Sequence, residues 1–233
     1  MKKLFTAAAI SAAFFATSAV AAPVSINFQA EADFNEQALS DGTVLNSVNT
    51  SLLNVTVSGG LQTNYGTPVA NDAYAYLDHG NAGLGVCTTP FAINTVGGTG
   101  KENQCNPGSD DNVTANEFVT IAFDVTMILS DFVFRAANHS LISSTSLDTL
   151  LIGINGGGLS ETSFGALSNI PLFGIDSLTL AYGGTGAQEF YLSSVKAEPD
   201  PNIVGQIPLP AGLPLLLAGL GALGLAKRRK QHA

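Results

Sequence analysis

The residues of this chain that could bind a ligand are concentrated in one acidic segment and one aspartate upstream of it. Asp110, Asp111, Asn112 and Glu117 place oxygen donors close together in sequence, and Asp78 lies just before a GLGV stretch. Carboxylate and amide oxygens are the ligands that Ca²⁺ prefers. These five residues form a candidate calcium site, although the spacing is not that of an EF-hand, and calcium is the one cofactor we consider. The alternative is that the same side chains cap turns and face solvent.

No residue pattern identifies a catalytic site. His79 and His139 stand in neither an HExxH motif nor another metal-spaced pair, so we expect both to be turn residues. The serines include no G-x-S-x-G nucleophile elbow. Tryptophan is absent from the chain, which counts against a sugar-cleaving cleft, while Tyr65, Tyr74 and Tyr76 offer a modest stacking surface. We therefore expect a protein that is not an enzyme.

The charge of the chain is unevenly distributed. All 18 acidic residues lie between Glu31 and Asp200, where only Lys101, Arg135 and Lys196 are basic, so this region carries −15 against −9 for the whole chain. A surface of this sign repels phosphate backbones and anionic lipid headgroups. We therefore expect no nucleic-acid partner.

The elements that must position these side chains are strands. Residues 24–32, VSINFQAEA, alternate apolar and polar side chains, which predicts one half-buried strand. Comparable stretches follow, separated by turn residues, at 51–58, 72–78, 117–125, 130–136, 148–154, 176–184 and 189–198. Short alternating strands without helical periodicity predict an all-β fold of antiparallel sheets, namely a β-sandwich of jelly-roll type. An up-and-down barrel is the alternative.

The N-terminal segment has the order of a secretory signal peptide. Two lysines directly after Met1 precede an apolar stretch from Leu4 to Thr17, and the sequence A-V-A at 19–21 gives a small-x-small cleavage pattern. We expect the Sec machinery to export the chain and residues 1–21 to be removed. The alternative is an N-terminal membrane helix or buried helix.

Residues 22–198 are predicted to form a single domain, and this domain contains both cysteines. Its length suits one all-β module with its own core. In an exported chain, the pair Cys87 and Cys105 predicts one disulfide across a loop rich in Gly, Thr and Asn, with a metal or redox pair as the alternative. Loop-closure entropy gives such a bond about 3 kcal/mol of stabilisation.

The C-terminal segment joins a polar linker, residues 199–206, to an apolar run of membrane dimensions. The stretch from Ala211 to Ala226 would be about 24 Å long as a helix, and residues 207–210 extend it to about 20 residues, just enough to span a bilayer. We therefore expect one transmembrane helix with the domain on the outer side. A basic cluster then holds the end of the chain in the cytoplasm: Lys227, Arg228, Arg229 and Lys230.

The C-terminal sequence resembles a known sorting signal. The VPLPA variant of the PEP-CTERM signal, found on exported proteins of Gram-negative bacteria, has the same order of motif, apolar helix and basic cluster. The matching motif here is Ile207, Pro208, Leu209, Pro210, Ala211 and Gly212. Ile207 stands where that family more often has valine. The two prolines keep the motif out of a helix, so that it stays extended and accessible.

This resemblance implies how the protein is processed and where it works. An exosortase, a multispanning membrane transpeptidase with a cysteine nucleophile, would recognise residues 207–233 and cut near the motif. The precursor would be anchored in the inner membrane, and the mature protein would lie at the cell surface or outside the cell. The alternative is that residues 207–233 are a permanent single-span anchor.

The body of the chain is similar to β-sandwich ectodomains that are common among proteins with this tail. GLGVC at 83–87, QCNPGSDDNVTANEFVTIAFD at 104–124 and FRAANHS at 134–140 carry the likeness. In those proteins a GLGV turn, an acidic segment and a strand pair recur. Asn116 stands where they often have glycine, and asparagine can also adopt a left-handed turn conformation. The likeness implies no enzymatic activity.

Two functions are therefore open at the level of the sequence. The sorting family implies a structural or adhesive protein of the cell surface or extracellular matrix, associated with exopolysaccharide. The alternative is a calcium-dependent carbohydrate-binding module that uses its loops. A concave face carrying tyrosines and carboxylates would favour the second function.

Overall fold

The computed structural model describes residues 23–34, 36–45, 53–67, 72–89, 103–106, 108 and 110–202. All of them belong to one compact unit. The predicted signal peptide, residues 203–206 of the predicted linker and the predicted sorting signal lie outside the described residues. Within the described ranges, no helix is long and apolar enough to cross a bilayer.

The described residues form mostly antiparallel β-sheet, which confirms the all-β class. The strands in this part of the chain are β1 (Val24–Asn27), β2 (Gln37–Leu39), β3 (Thr43–Leu45), β4 (Val55–Leu61), β5 (Tyr74–Asp78), β6 (Gly83–Cys87), β7 (Glu117–Ala136), β8 (Thr149–Ile154), β9 (Ser160–Ser163), β10 (Leu172–Ala181) and β11 (Phe190–Pro199). Two short helices, α1 (Phe28–Phe34) and α2 (Phe164–Asn169), and a 3₁₀ turn at Gln62–Asn64 accompany them.

The long strand β7 connects the two halves of the sheet. Its first half pairs with β4 and β10, as in the register Val57 opposite Ile121. Its second half pairs with β11, as in Leu192 opposite Phe134. The strand order along the main path is β2-β5-β6-β11-β7-β10-β8-β9, with β1 added at β11 and the β3–β4 pair added at β7. One strand therefore fixes the positions of three neighbours.

The core is continuous across this sheet. The apolar positions of the alternating strands face inward, and three phenylalanine rings meet edge to face at its centre: Phe134 lies 5.0 Å from Phe164 and 5.8 Å from Phe190, centroid to centroid. All three side chains are buried. Rings in this geometry stabilise a core by about 0.5–1.5 kcal/mol per pair beyond the burial of their surface.

The predicted disulfide between Cys87 and Cys105 is confirmed. Both cysteines are buried in a small second cluster together with Ala38 and Tyr76. Tyr76 is therefore core rather than the stacking surface suggested by the sequence. The bond ties the end of β6 to the chain segment that leads into the acidic residues.

The predicted strand over 24–32 is correct only as far as Asn27. From Phe28 the chain forms helix α1 instead, because the Asn27 Oδ1 accepts a hydrogen bond from the backbone N–H of Ala30 at 2.9 Å and caps the first turn. Phe28 and Ala32, four residues apart, then face the core on one side of the helix. The buried positions Phe28 and Ala32 fit either a continued strand or a helix, and the capping by Asn27 favours the helix.

Two further expectations are corrected by the strands themselves. The segments 117–125 and 130–136 belong to the single strand β7. Asp131 in this strand has a φ of +51°, and the register with β11 shifts between residues 130 and 133 and again between residues 133 and 134. The break predicted between the two segments is therefore not a turn, and the irregularity near Asp131 is a β-bulge within one strand. The GLGV stretch, expected to be a turn, lies in strand β6.

The glycines of β6 allow backbone to approach from two directions. A Cβ on Gly85 would overlap the carbonyl oxygen of Asp111 and lie 2.9 Å from the Cα of Asn112. A Cβ on Gly83, which has a φ of +137°, would lie 2.5 Å from the carbonyl oxygen of Leu192 in β11. The acidic segment can therefore cross directly over β6.

The substitution Gly85→Ala should destabilise the domain strongly. The new methyl group meets main chain, which cannot rotate away as a side chain can, so we expect a loss of about 1–3 kcal/mol in the free energy of unfolding. Urea denaturation measures it. Gly158→Ala is the matched control, because nothing lies within 4 Å of a Cβ built there. Equal stabilities of the two variants would contradict the crossing.

Candidate functional site

The acidic segment divides into residues with separate partners. Asp110 Oδ2 accepts hydrogen bonds from the backbone N–H of Thr88, at 3.1 Å, and from its hydroxyl group. This carboxylate ties the acidic segment to the end of β6. It acts as a turn cap, which is one of the two alternatives that the sequence left open.

Asp111 points inward and meets a buried tyrosine. Its side chain is largely buried, and the Tyr191 hydroxyl of β11 donates a hydrogen bond to its Oδ1. Burial raises the pKa of Asp111, an effect that this hydrogen bond opposes. The pKa of the Tyr191 hydroxyl is also raised, by burial and then by Asp111. The next residue, Asn112, is buried, and its Oδ1 has no hydrogen-bond partner among the described residues.

Glu117 begins β7 and is 2% exposed. Its Oε2 accepts a hydrogen bond from the backbone N–H of Thr114 at 2.9 Å. Asn116, between these two residues, has a φ of +68°, the left-handed conformation expected for an asparagine in place of glycine. Burial raises the pKa of Glu117 to about 8, with smaller contributions from Asp110 and Glu189 in the same direction. At neutral pH this carboxyl group is mostly protonated.

The five residues predicted to bind calcium are thus placed in different surroundings. Among the described acidic side chains, no three of Asp78, Asp110, Asp111 and Glu117 bring oxygen atoms within 4.8 Å of one another. Two pairs among them interact electrostatically: the Asp111 charge contributes to raising the pKa of Asp78, and the Asp110 charge contributes to raising the pKa of Glu117. Calcium binding by the five residues stays a prediction.

Asp78 is the centre of a different cluster. It ends β5, its side chain is 6% exposed, and both histidines of the described region approach it from opposite sides. His139 Nε2 lies 3.0 Å from Asp78 Oδ2, and His79 Nδ1 lies 3.7 Å from Asp78 Oδ1. His79 Nδ1 also lies 3.0 Å from Glu36 Oε2. Burial raises the pKa of Asp78 to about 6, with a further increase from Asp111.

Hydrogen bonds in the surrounding turns hold this cluster in place. The His139 main chain has a φ of +64° in the turn after β7, and its carbonyl oxygen accepts a hydrogen bond from Arg135 Nη1 at 3.0 Å. On the other side, the Tyr76 hydroxyl donates to Glu36 Oε1 at 3.0 Å. The backbone N–H of Gly80 donates to Asp33 Oδ1 at 3.1 Å, which fixes the turn that carries His79.

A hydrogen bond to Gly80 determines where His139 carries one of its protons. His139 Nδ1 lies 2.9 Å from the carbonyl oxygen of Gly80, which can only accept, so Nδ1 carries a proton. In neutral His139, Nε2 would then direct a lone pair at the oxygen of Asp78. A proton on either Nε2 or Oδ2 would turn this 3.0 Å contact into a hydrogen bond.

Sequence reasoning missed Glu36, His79, His139 and Tyr191 as members of one cluster. The histidines are far apart in the chain, and each one alone has the surroundings of a turn residue. Their convergence depends on the pairing of β5 with β6 and of β7 with β11. The one sequence signal was the adjacent pair Asp78 and His79 directly before Gly80.

A cleft lies on the other half of the sheet. A cleft of about 380 Å³ opens beside β4, β7 and β10, and Tyr65 and Phe118 meet edge to face in its wall at 5.4 Å. Its polar lining includes Asp41, Asn64, Asp72, Thr120 and Thr179. The Tyr65 hydroxyl donates to the carbonyl oxygen of Gly157, which fixes the ring at the edge of the cleft. Of the three tyrosines suggested as a stacking surface, Tyr65 is the one that lines this cleft.

Comparison of the chain with protein-family models, with curated proteins and with solved structures gave no match.

Glu117 makes stability depend on pH in a defined direction. Its folded pKa of about 8 lies above the ordinary value of 4.5, so its contribution to stability is complete below pH 4.5 and is lost as pH rises to about 8. Glu117→Gln keeps an acceptor for Thr114 without titrating. We therefore expect the stability of the variant, relative to the wild type, to increase by up to about 5 kcal/mol over this range.

Urea unfolding at a series of pH values measures this difference. Glu161→Gln, at an exposed position, is the control for the removal of one negative charge. Parallel stability curves for Glu117→Gln and the wild type between pH 4.5 and 8 would show that Glu117 is ionised in the folded state.

Proposed function

We propose that this chain is an exported protein of the cell surface or extracellular matrix, which an exosortase sorts and processes. The observation that carries the proposal is the order of features at residues 207–230, where a proline-containing motif precedes an apolar run and a basic cluster. In this proposal residues 207–233 act as a removable sorting signal, and the domain of residues 22–198 is the working protein.

The disulfide of the domain supports export. Structural disulfides persist in oxidising compartments and are rare in the cytosol. Cys87 and Cys105 are buried, which protects the bond from exchange with soluble thiols. An exported precursor with a secretory signal peptide at residues 1–21 accounts for this bond.

The proposed role of the domain is structural or adhesive, in association with exopolysaccharide. We assign the antiparallel strands to a β-sandwich of jelly-roll type, because β7 pairs with strands of both halves and β4 packs against β5 at the close approach of Gly59 to the Tyr74 backbone. An acidic exterior of this kind keeps such a domain soluble and separate from anionic lipid.

A second function is favoured by the cleft at Tyr65. An aromatic ring at the edge of a concavity with carboxylate, amide and hydroxyl groups suits a sugar, whose apolar face packs on the ring while its hydroxyls bond to the polar groups. This arrangement supports the proposal of a carbohydrate-binding module, with calcium as its cofactor if the acidic segment binds that ion.

The intact mass of the protein from its native host tests the sorting proposal. We expect a mature form that ends near Pro208 to Ala211 in the wild type and an uncut C-terminus in a strain that lacks the exosortase. The sequence requirement is tested by Pro208→Ala combined with Pro210→Ala, which should also leave the tail uncut. A mature form that runs to Ala233 in both strains would make the tail an anchor.

Binding of the exopolysaccharide of the host tests the carbohydrate proposal. Tyr65→Ala should weaken binding by about tenfold, which corresponds to about 1.4 kcal/mol. Phe173→Ala is the matched control, since this phenylalanine is exposed on β10 and does not line the cleft. Affinity electrophoresis in the presence of calcium and in the presence of a chelator shows whether carbohydrate binding requires calcium. An unchanged affinity of Tyr65→Ala would remove the cleft from consideration.

A further inference from the structure

We propose that Glu36, Asp78 and His79 bind one divalent transition-metal ion of the zinc class at the open end of the β5–β6 hairpin. The three side chains offer Glu36 Oε2, Asp78 Oδ1 and His79 Nδ1, which all lie within 4.8 Å of one another. This inference does not rest on the sorting of the chain, and it concerns residues other than the acidic segment predicted from the sequence.

The spacing of these atoms suits coordination to a single ion. Zinc binds imidazole nitrogen at about 2.0–2.1 Å and carboxylate oxygen at about 2.0–2.2 Å, so neighbouring ligand atoms around it are separated by about 3–3.5 Å. The distance from His79 Nδ1 to Glu36 Oε2 is 3.0 Å, and the distance from His79 Nδ1 to Asp78 Oδ1 is 3.7 Å. Small side-chain rotations suffice to enclose an ion.

The Asp78 carboxylate gives a second and independent reason to expect a cation. Its side chain is 6% exposed, and Oδ2 receives no hydrogen bond from the described residues, although His139 Nε2 lies 3.0 Å away. A buried carboxylate oxygen without a hydrogen bond is costly, and its usual partners are cations or metal ions. Within 4 Å of it, in the part of the chain described, the side chains that can carry a positive charge are the two histidines.

The charges around the cluster also favour a divalent cation. Glu36, Asp78 and Asp111 place three carboxyl groups in one region of the domain. Of the two described residues with full positive charge, Arg135 donates to the His139 carbonyl oxygen and Lys196 lies 3.6 Å from Asp131. Neither of these contacts neutralises the carboxylates.

The ligand types favour a transition metal over calcium. An imidazole nitrogen with two carboxylate oxygens is a set that zinc and its neighbours in the first row accept, whereas calcium takes six or more oxygen ligands. His139 is a positioning residue in this arrangement. It contacts the oxygen of Asp78 that faces away from His79, and its own Nδ1 donates to the Gly80 carbonyl, as outer partners of metal ligands commonly do.

One side of the proposed site faces solvent. The His79 side chain is 59% exposed, while the Asp78 side chain is 6% exposed. Three protein ligands leave at least one coordination position for water or for a group of another molecule. The exposure of His79 also makes it the ligand that can be replaced with the least effect on folding.

Zinc titration of the full chain tests the proposal. The protein is exported to the periplasm of a host without an exosortase, purified in detergent through a tag that contains no histidine, freed of metal with a chelator and titrated calorimetrically. We expect saturable binding of one zinc ion per chain, and we expect His79→Ala and Glu36→Gln each to weaken it by about 100-fold or more. Co²⁺ should bind with a visible absorption spectrum that His79→Ala changes.

The chain offers a matched control in its third histidine. His232→Ala removes an imidazole from the C-terminal segment and should leave the affinity for zinc unchanged. Thermal melting of each variant without metal shows whether it is folded, and His79→Ala should melt like the wild type. Binding only above about 1 mM zinc would overturn the proposal, as would equal affinities of His79→Ala and His232→Ala. Binding of calcium in place of zinc, insensitive to His79→Ala, would also overturn it.

Discussion

The close crossing of backbone over β6 is the contact on which the rest of the domain depends. Because Gly83 and Gly85 carry no Cβ, β6 accepts the main chain of β11 beside it and that of the acidic segment across its face. The disulfide at Cys87 fastens the same crossing from its other end. The crossing brings the Asp111 carboxylate into the region of Asp78, so the polar cluster follows from the path of the backbone.

Burial forces each carboxylate of this region to lose its charge or to find a partner, and three solutions occur side by side. Glu117 holds its own proton, since burial raises its pKa to about 8. Asp111 accepts a hydrogen bond from the Tyr191 hydroxyl group. Asp78 lies between two imidazole rings, with His139 at Oδ2 and His79 at Oδ1. The three environments therefore give three carboxyl groups different hydrogen-bond partners and different protonation behaviour.

Periodicity predicted the β class because alternating side chains report which face of a strand is buried. The disulfide between Cys87 and Cys105 was predictable because an exported chain with two cysteines meets an oxidising compartment. Local exceptions were harder, since only the capping geometry of Asn27 distinguishes α1 from a continued strand. The histidine cluster could not be read from the chain, because it depends on strand pairing between distant segments. The sorting signal, whose residues lie outside the described ranges, stays a prediction.

The antiparallel pairing of β1 with β11 has a topological consequence. Val24 stands opposite Ala197, so the first and last strands of the domain begin and end side by side. A short peptide could close this gap into a ring, and the exposed hairpin at Gly156–Gly158 offers a place to open new ends. The domain therefore has the geometry of a cassette, which can be permuted or inserted into a loop of another protein while its strand order is kept.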